Sequence, residues 1–361
     1  MAAVTQKPCV TVRAARPGEG RAIAELWREL WDAHEVWGGY AGCRDASVYE
    51  KLSGRLDDDA RTRGGQPVLG RHLHLIATVD GTVAGQVEGW VERQGIDPQT
   101  PYTCEVRSLI VTSWARTDGA GRELLRELSS AAACLTRDVP LVLGAEVLEL
   151  NPARAFYAKL GYRPVSWSLQ APSDDGAQVP ASLRASAADS FTARQADPRD
   201  ALALCILDST LAARRRALGD PRYDPPRAVD AATVAAIAVQ LTDGGQPWSG
   251  PAPRAAELVA VDAHGRVRGS ATFAVSPLDP PFRAGQRAVL GRFAADPALY
   301  AGIVVAPIIA LGRRLAAQAG AKTIELTELS PPGTALYRAG LESGGAPWSQ
   351  IVTKSVPRAH F

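Results

Sequence analysis

Cysteine is sparse in this chain. Its 361 residues hold five (Cys9, Cys43, Cys104, Cys134, Cys205), an odd and scattered set with no CxxC pair. No Cys/His group has zinc-ligand spacing, so no metal is expected. Reduced thiols in a cytoplasm are the expected state. Methionine occurs once and lysine is scarce, while Ala, Arg, Gly and Pro abound, which reads as gene base composition rather than function. An excess of one charge is also missing: 40 basic residues face 38 acidic ones, a net charge of +2. Nothing is left over to displace counterions from a nucleic-acid backbone, so DNA is not an expected partner. The opening "MAAVTQKPCVTVRAARPGEG" has no apolar h-region, and no apolar run reaches the roughly 18 residues of a membrane helix. Neither a signal peptide nor a membrane partner is expected.

What is present is a repeat. The hydrophobic fraction of 46% supports packed cores, and the length suits two domains. "VRAARPGEGRAIAELW" near residue 12 matches "TARQADPRDALALCIL" near residue 192, pairing Arg13 with Arg194. "LIATVDGTVAGQVEGWVE" matches "LVAVDAHGRVRGSATFAV", pairing Gly85 with Gly269; each is two alternating strands around a hairpin turn. "NPARAFYAKLGYRPV" matches "SPPGTALYRAGLESGG", pairing Tyr157 with Tyr337. Three pairs at nearly one offset imply two copies of one α/β unit. The expected domains are 10–172 and 191–358. Residues 173–190, rich in Pro, Ser, Asp and Ala, are expected to form the linker.

The stretch "SWARTDGAGRELLRELSS" follows a strand, "CEVRSLIVT", and opens an amphipathic helix carrying Leu124, Leu125 and Leu128 on one face. A helix start presents unpaired N–H groups and a positive dipole end. Glycines there let a ligand approach the backbone, which makes a phosphate site. The turn is neither GxxxxGK[ST] nor GxGxxG, which excludes a P-loop and a dinucleotide fingerprint.

The run Arg116-Thr117-Asp118-Gly119-Ala120-Gly121 resembles the (Q/R)-x-x-G-x-(G/A) loop of the GNAT superfamily of acyl-CoA-dependent N-acyltransferases. "LIV" (Leu109, Ile110, Val111) resembles that family's bulged fourth strand, and "NPARAFYAKLGY" its C-terminal segment. The resemblance covers about residues 10–170 and, more weakly, 191–358. It implies two tandem α/β domains, each a mixed, mostly antiparallel sheet flanked by helices. It also implies that residues 116–121, with Arg122 beside them, hold the coenzyme A pyrophosphate. The pantetheine arm is then expected along Leu109, Ile110 and Val111, with Asn151 nearby or capping its own helix. In the second copy Tyr300, Ile303 and Val305 align with Arg116, Gly119 and Gly121. β-Branched side chains there are expected to block the cofactor.

Acyl transfer to an amine needs a base, an oxyanion donor and an acid for the thiolate. The resemblance points to Glu105 as base, or else a strand residue paired with Arg107. It points to Tyr157 as acid, or else a packed aromatic, and to a backbone N–H near Leu109–Val111 for the oxyanion. In "LWRELWDAHEVWGGY", Trp27, Leu30 and Trp31 share a helix face and read as core. His34, Glu35 and Trp37 are expected to line an acceptor pocket, because the family's first helices cover it. "RRR" at 214–216 reads as a solvated face. His72 and His74 alternate without a metal partner. The expected function is transfer of a short acyl group, acetyl first, from acyl-CoA to a small-molecule primary amine, for example in secondary metabolism. The alternatives are a thioester donor borne by an acyl carrier protein (aminoacyl-tRNA less so), and a non-catalytic acyl-CoA-binding protein. A monomer or homodimer is expected.

Overall fold

A computed structural model of the chain describes residues 8–93, 101–136, 139–184, 190–223, 229–244, 254–278 and 280–356. The first copy contains β1 (Val10–Arg13), α1 (Gly20–Val36), α2 (Ala46–Arg63), β2 (Val68–Leu69), β3 (His72–Val79), β4 (Thr82–Arg93), β5 (Tyr102–Val111), α3 (Ala120–Thr136), β6 (Leu141–Leu148), α4 (Ala153–Lys159) and β7 (Arg163–Pro172). The second repeats the order: β8 (Thr192–Gln195), α5 (Ala201–Ala217), α6 (Ala231–Gly244), β9 (Arg254–Val261), β10 (Val267–Pro277), β11 (Gln286–Ala295), α7 (Ala301–Gln318), β12 (Thr323–Leu329), α8 (Ala335–Glu342) and β13 (Ala346–Val356).

The repeat extends to side-chain bonding. Arg13 grips Glu19 with both terminal nitrogens (2.9 and 2.5 Å), and Glu19 accepts the N–H of Arg16. Arg194 grips Asp200 the same way (2.6 and 2.9 Å), and Asp200 accepts the N–H of Asp197. The hairpin turn after β3 has positive φ at both Asp80 and Gly81, as a primed turn requires.

The compact units do not follow the expected boundaries. Unit 1 is Met1–Arg163 with Asp279–Arg283 and Val352–Phe361; unit 2 is Pro164–Leu278 with Ala284–Ile351. The reason is strand pairing. β7, expected in the first domain, runs antiparallel to β12 with Leu169 opposite Leu326, and Leu169 and Ala171 sit in the core of unit 2. The end of β13 lies beside β6, and Val352 packs in the core of unit 1. The expected linker is also partly built into unit 2: Ala177 and Leu183 are buried, and Ser173 donates its N–H to Lys322. Its residues 185–189 lie outside the described residues.

Within unit 1 the strand order is β1-β3-β4-β5-β6, antiparallel except for β5 and β6. One face carries Leu73, Leu75, Val87, Val91, Cys104 and Val106 against Leu124, Leu125 and Leu128 of α3. The other is covered by α1, which buries Ile23, Leu26, Leu30 and Trp31 at helical spacing, and by α2, capped by Asp45 on the N–H of Ser47. Unit 2 has the order β8-β9-β10-β11-β12-β7. Its α7 has the length and apolarity of a membrane helix, against expectation, and spends them on the core, where Val304, Ile308 and Ile309 are fully buried. The "RRR" run is not wholly solvated either, because Arg215 is 1% exposed.

Gly85 lies where α3 presses on the hairpin. A Cβ there would stand 2.7 Å from the carbonyl oxygen of Ile110 and 3.3 Å from Leu124. Gly269 has the same place in unit 2, 2.6 Å from Val304. Gly85→Ala is expected to lower the unfolding free energy by about 1–3 kcal/mol. Gly54→Ala, where a Cβ meets nothing within 4 Å, is expected to be neutral or stabilising. Urea unfolding of the two variants checks this; equal midpoints would refute the packing argument.

Candidate functional site

β5 and β6 pair in parallel from Tyr102 opposite Leu141 to Val106 opposite Ala145, and no further. Both strands continue, to Val111 and Leu148, so a slot opens between them. The cause lies on the other edge of β5. Opposite β4, Ile110 pairs with Gln86 and Arg107 with Glu88, leaving Ser108 and Leu109 to face Val87 alone. This is a β-bulge, and Ser108 has φ 51°. The backbone of Leu109, Ile110 and Val111 thus borders the slot, while the Ile110 side chain is held by Leu26 and Leu30.

The turn after β5 lies at the end of this slot. Gly119 has φ 88°, and a Cβ on it would meet nothing within 4 Å, so its outer side is open. Ala120, Gly121 and Arg122 form the first turn of α3, where the helix itself offers their N–H groups no acceptor. Arg122 is exposed and Thr117 exposed; Asp118 is half-buried and donates its N–H to Ala115. The Thr112 hydroxyl is buried with no partner among the described residues. This open, donor-rich turn beside an unpaired strand edge fits a pyrophosphate and an extended arm. The Arg116 guanidinium donates to the carbonyl of Val111 (3.1 Å) and to Glu29 (3.3 Å), so it also fastens the turn to α1. Gly121 is small because of packing: its Cβ would lie 3.3 Å from the Phe156 ring.

Unit 2 keeps the bulge and loses the turn. Ser270 pairs with Ala294 and Thr272 with Gly291, so Arg292 and Phe293 bulge, and Arg292 has φ 52°. Here α7 starts at Ala301, the counterpart of Thr117 rather than of Ala120. An extra helical turn replaces the loop. Val305 is buried inside that helix and Ile303 half-buried, so helix extension removes the cradle, not only β-branched bulk.

Glu105 takes the structural alternative. Its side chain is half exposed and bonds Arg107 at 2.6 Å, opposite Trp90. The sheltered carboxylate on this face is Glu88, directly across from Arg107 and beside the bulge. Burial would raise its pKa. The neighbouring His72, His74 and Ser108 outweigh burial, and Glu88 ends below the ordinary carboxylate value. Arg63, 4% exposed, is held by Asp59 and donates to Nδ1 of His72 at 2.6 Å. Arginine only donates, so His72 carries its hydrogen on Nε2, which lies 3.5 Å from Glu88. The His72 ring stacks on Trp90 at 4.6 Å, and His74 is buried 3.2 Å from Gln86. Sequence reasoning gave this pair of histidines no role. The strand alternation that puts His72, Gln86 and Glu88 on one face was the available signal.

Tyr157 lies on α4, 6% exposed, with Phe156 and Tyr162 at 5.6 and 5.1 Å. Burial drives its pKa up, so the phenol stays protonated. Asn151 caps α4 by accepting the N–H of Ala153 at 2.9 Å. His34, Glu35 and Trp37 end α1 in an aromatic cluster. His34 meets Trp31 at 4.9 Å and Trp37 at 5.8 Å, and Glu35 faces Arg44 and Arg283 at 3.6 and 3.7 Å. Phe282 joins from the loop before β11, 4.3 Å from Trp31, fixed by the N–H of Cys43 on the carbonyl of Pro281. The loop after α1 reaches the end of β6: a Cβ on Gly39 would lie 2.7 Å from Leu148.

Burial lowers the His34 pKa to about 4. The depressed value sets the sign: stability is intact above about pH 6.5, the unfolded value, and is lost as pH falls towards 4. His34→Phe is expected to lose less stability than the parent between pH 7 and 5. Urea midpoints at the two pH values measure it; parallel losses would contradict the assignment.

Residues 70–164 match the family model described as acetyltransferase (GNAT) domain. Among solved structures the chain is similar to a GCN5-related N-acetyltransferase from Sphaerobacter thermophilus. The identity is 17%, covering 96% of this chain and 95% of that one, at a TM-score of 0.55. It is similar to a tandem GNAT protein from the clavulanic acid biosynthesis pathway, at 16% identity, 97% and 99% coverage and a TM-score of 0.50. A glucosamine N-acetyltransferase region of a fungal multi-domain beta-N-acetylglucosaminidase is similar at 14% identity, 97% and 38% coverage and a TM-score of 0.52. Among curated proteins no sequence match is found.

Proposed function

With an acetyltransferase domain of the GNAT family at residues 70–164 as the premise, we propose that unit 1 moves a short acyl group, acetyl first, from acyl-CoA to the primary amine of a small molecule. The observation that carries the reading is the slot between β5 and β6, with the open Gly119 turn at one end and the sheltered Glu88 beside the bulge on the neighbouring strand β4. Acyl-CoA supplies the acyl group as a reactive thioester. The N–H groups of Gly119 to Arg122 hold its phosphates. Backbone N–H groups between Leu109 and Val111 donate to the carbonyl oxygen as it gains charge. Glu88, whose pKa its neighbours His72, His74 and Ser108 hold down against burial, takes the ammonium proton of the acceptor directly or through one water. Trp90 and the His72 ring beside it give the acceptor an aromatic wall. Tyr157, held protonated by burial, donates to the leaving sulfur.

Release of free coenzyme A from acetyl-CoA with a panel of primary amines tests the reading. Turnover with at least one amine, and none with the matching alcohol, is expected. Coenzyme binding without turnover on any amine would leave a binding protein instead. Tyr157→Phe is expected to lower kcat about 100-fold with little change in the KM for acetyl-CoA, as loss of one proton donor would do. An unchanged kcat would return Tyr157 to a packing role.

A further inference from the structure

Unit 2 holds a cavity of about 430 Å³ between its sheet and α5 and α6. It is the counterpart of the polar cluster of unit 1. Thr272 stands where Glu88 does, Ser270 where Gln86 does, and Arg292 where Ser108 does. Glu257, paired across from Thr272, takes the position of His74, which is paired across from Glu88. The carboxylate has thus moved one strand over, and a hydroxyl replaces the base. Glu257 accepts from the Thr272 hydroxyl at 2.8 Å on Oε1, and its Oε2 has no hydrogen-bond partner among the described residues. The neighbouring cation, Arg292, is paired to Asp208. The facing helices contribute Leu204, Ile237 and Leu241, with Gln240 and Asp208 among them.

We propose that this cavity is a second binding site, for a small primary ammonium with an apolar body, which it holds without acylating. A sheltered carboxylate with one neutral hydrogen bond is costly until a cation meets it. An ammonium brings three donors, enough for Oε2 and the Thr272 oxygen. Leu204, Ile237 and Leu241 receive the apolar part, and the volume falls in the range of ligand sites. Burial, the largest influence on Glu257, raises its pKa against the Thr272 hydrogen bond and the Arg292 charge, which lower it. No acyl transfer follows, because the turn that would grip a coenzyme is helix here and Thr272 is no base.

Fluorine NMR titration of the full chain with 4-fluorobenzylamine, without coenzyme, tests this. Glu257→Gln is expected to weaken one binding site about tenfold or more, and 4-fluorobenzyl alcohol is expected to leave that site empty. The same variant is expected to keep its acetyl-transfer rate, which separates this site from that of unit 1. If Glu257→Gln unfolds, Ile237→Trp, which fills the cavity from α6, is expected to abolish the same binding. Unchanged amine affinity in the folded variant, or equal binding of the alcohol, would overturn the proposal whether or not unit 1 turns over.

Discussion

Glu88→Gln is expected to lower kcat for acetyl transfer by at least about 100-fold, the usual weight of a positioned general base. The amide is nearly isosteric, so the fold survives. It cannot take a proton. The KM for acetyl-CoA should barely move, because Glu88 lies on β4, one strand away from the slot between β5 and β6. Glu105→Gln is expected to change kcat less than twofold, since that carboxylate is half exposed and paired with Arg107. The reverse ranking of the two variants would restore Glu105 as the base. His72→Ala is expected to act through Glu88: without the imidazole the carboxylate loses a neighbour that lowers its pKa, and the acid side of the rate profile shifts to higher pH.

Gly119→Val is expected to weaken coenzyme A binding by about 100-fold, the loss of roughly two charge-assisted hydrogen bonds. The backbone there has φ 88°, which a β-branched residue does not tolerate. The turn must rearrange, and the N–H groups of the first turn of α3 lose their common aim. Nothing crowds the position, so the effect on folding is confined to local backbone strain of about 1–3 kcal/mol. Gly119→Ala should fall between parent and valine. Ile303→Gly in unit 2 should leave coenzyme affinity untouched, because that residue sits within a helix. Isothermal titration with coenzyme A reads all three, and unaltered affinity in Gly119→Val would place the phosphates elsewhere.

What the sequence disclosed was local. Gly119 announced a turn because glycine before an amphipathic helix has few other uses. Asn151 before Pro152 announced a cap, and Asp80-Gly81 a hairpin. Arg13 and Arg194 matched because each bonds a carboxylate six residues on, within one supersecondary unit. The proposed base was not legible, since Glu88 is sheltered only once Arg63 from α2 holds His72 on β3 and the bulge in β5 sets Ser108 near it. Charge type at one position cannot reveal that. Nor could the unit boundaries be read. A period of about 180 residues identifies β7 and β13 as equivalent strands, but leaves open which sheet each one joins, and β7 joins β12. The bond from Arg116 to Glu29 was hidden for the same reason: the two are remote in sequence.

A crystal structure of the full chain with coenzyme A bound tests the central claim most directly. Electron density for the pyrophosphate is predicted within hydrogen-bond reach of the N–H groups at 119–122, with the pantetheine lying along 109–111. Density at the start of α7, or none beside Gly119 in a crystal where coenzyme has bound, would contradict the account.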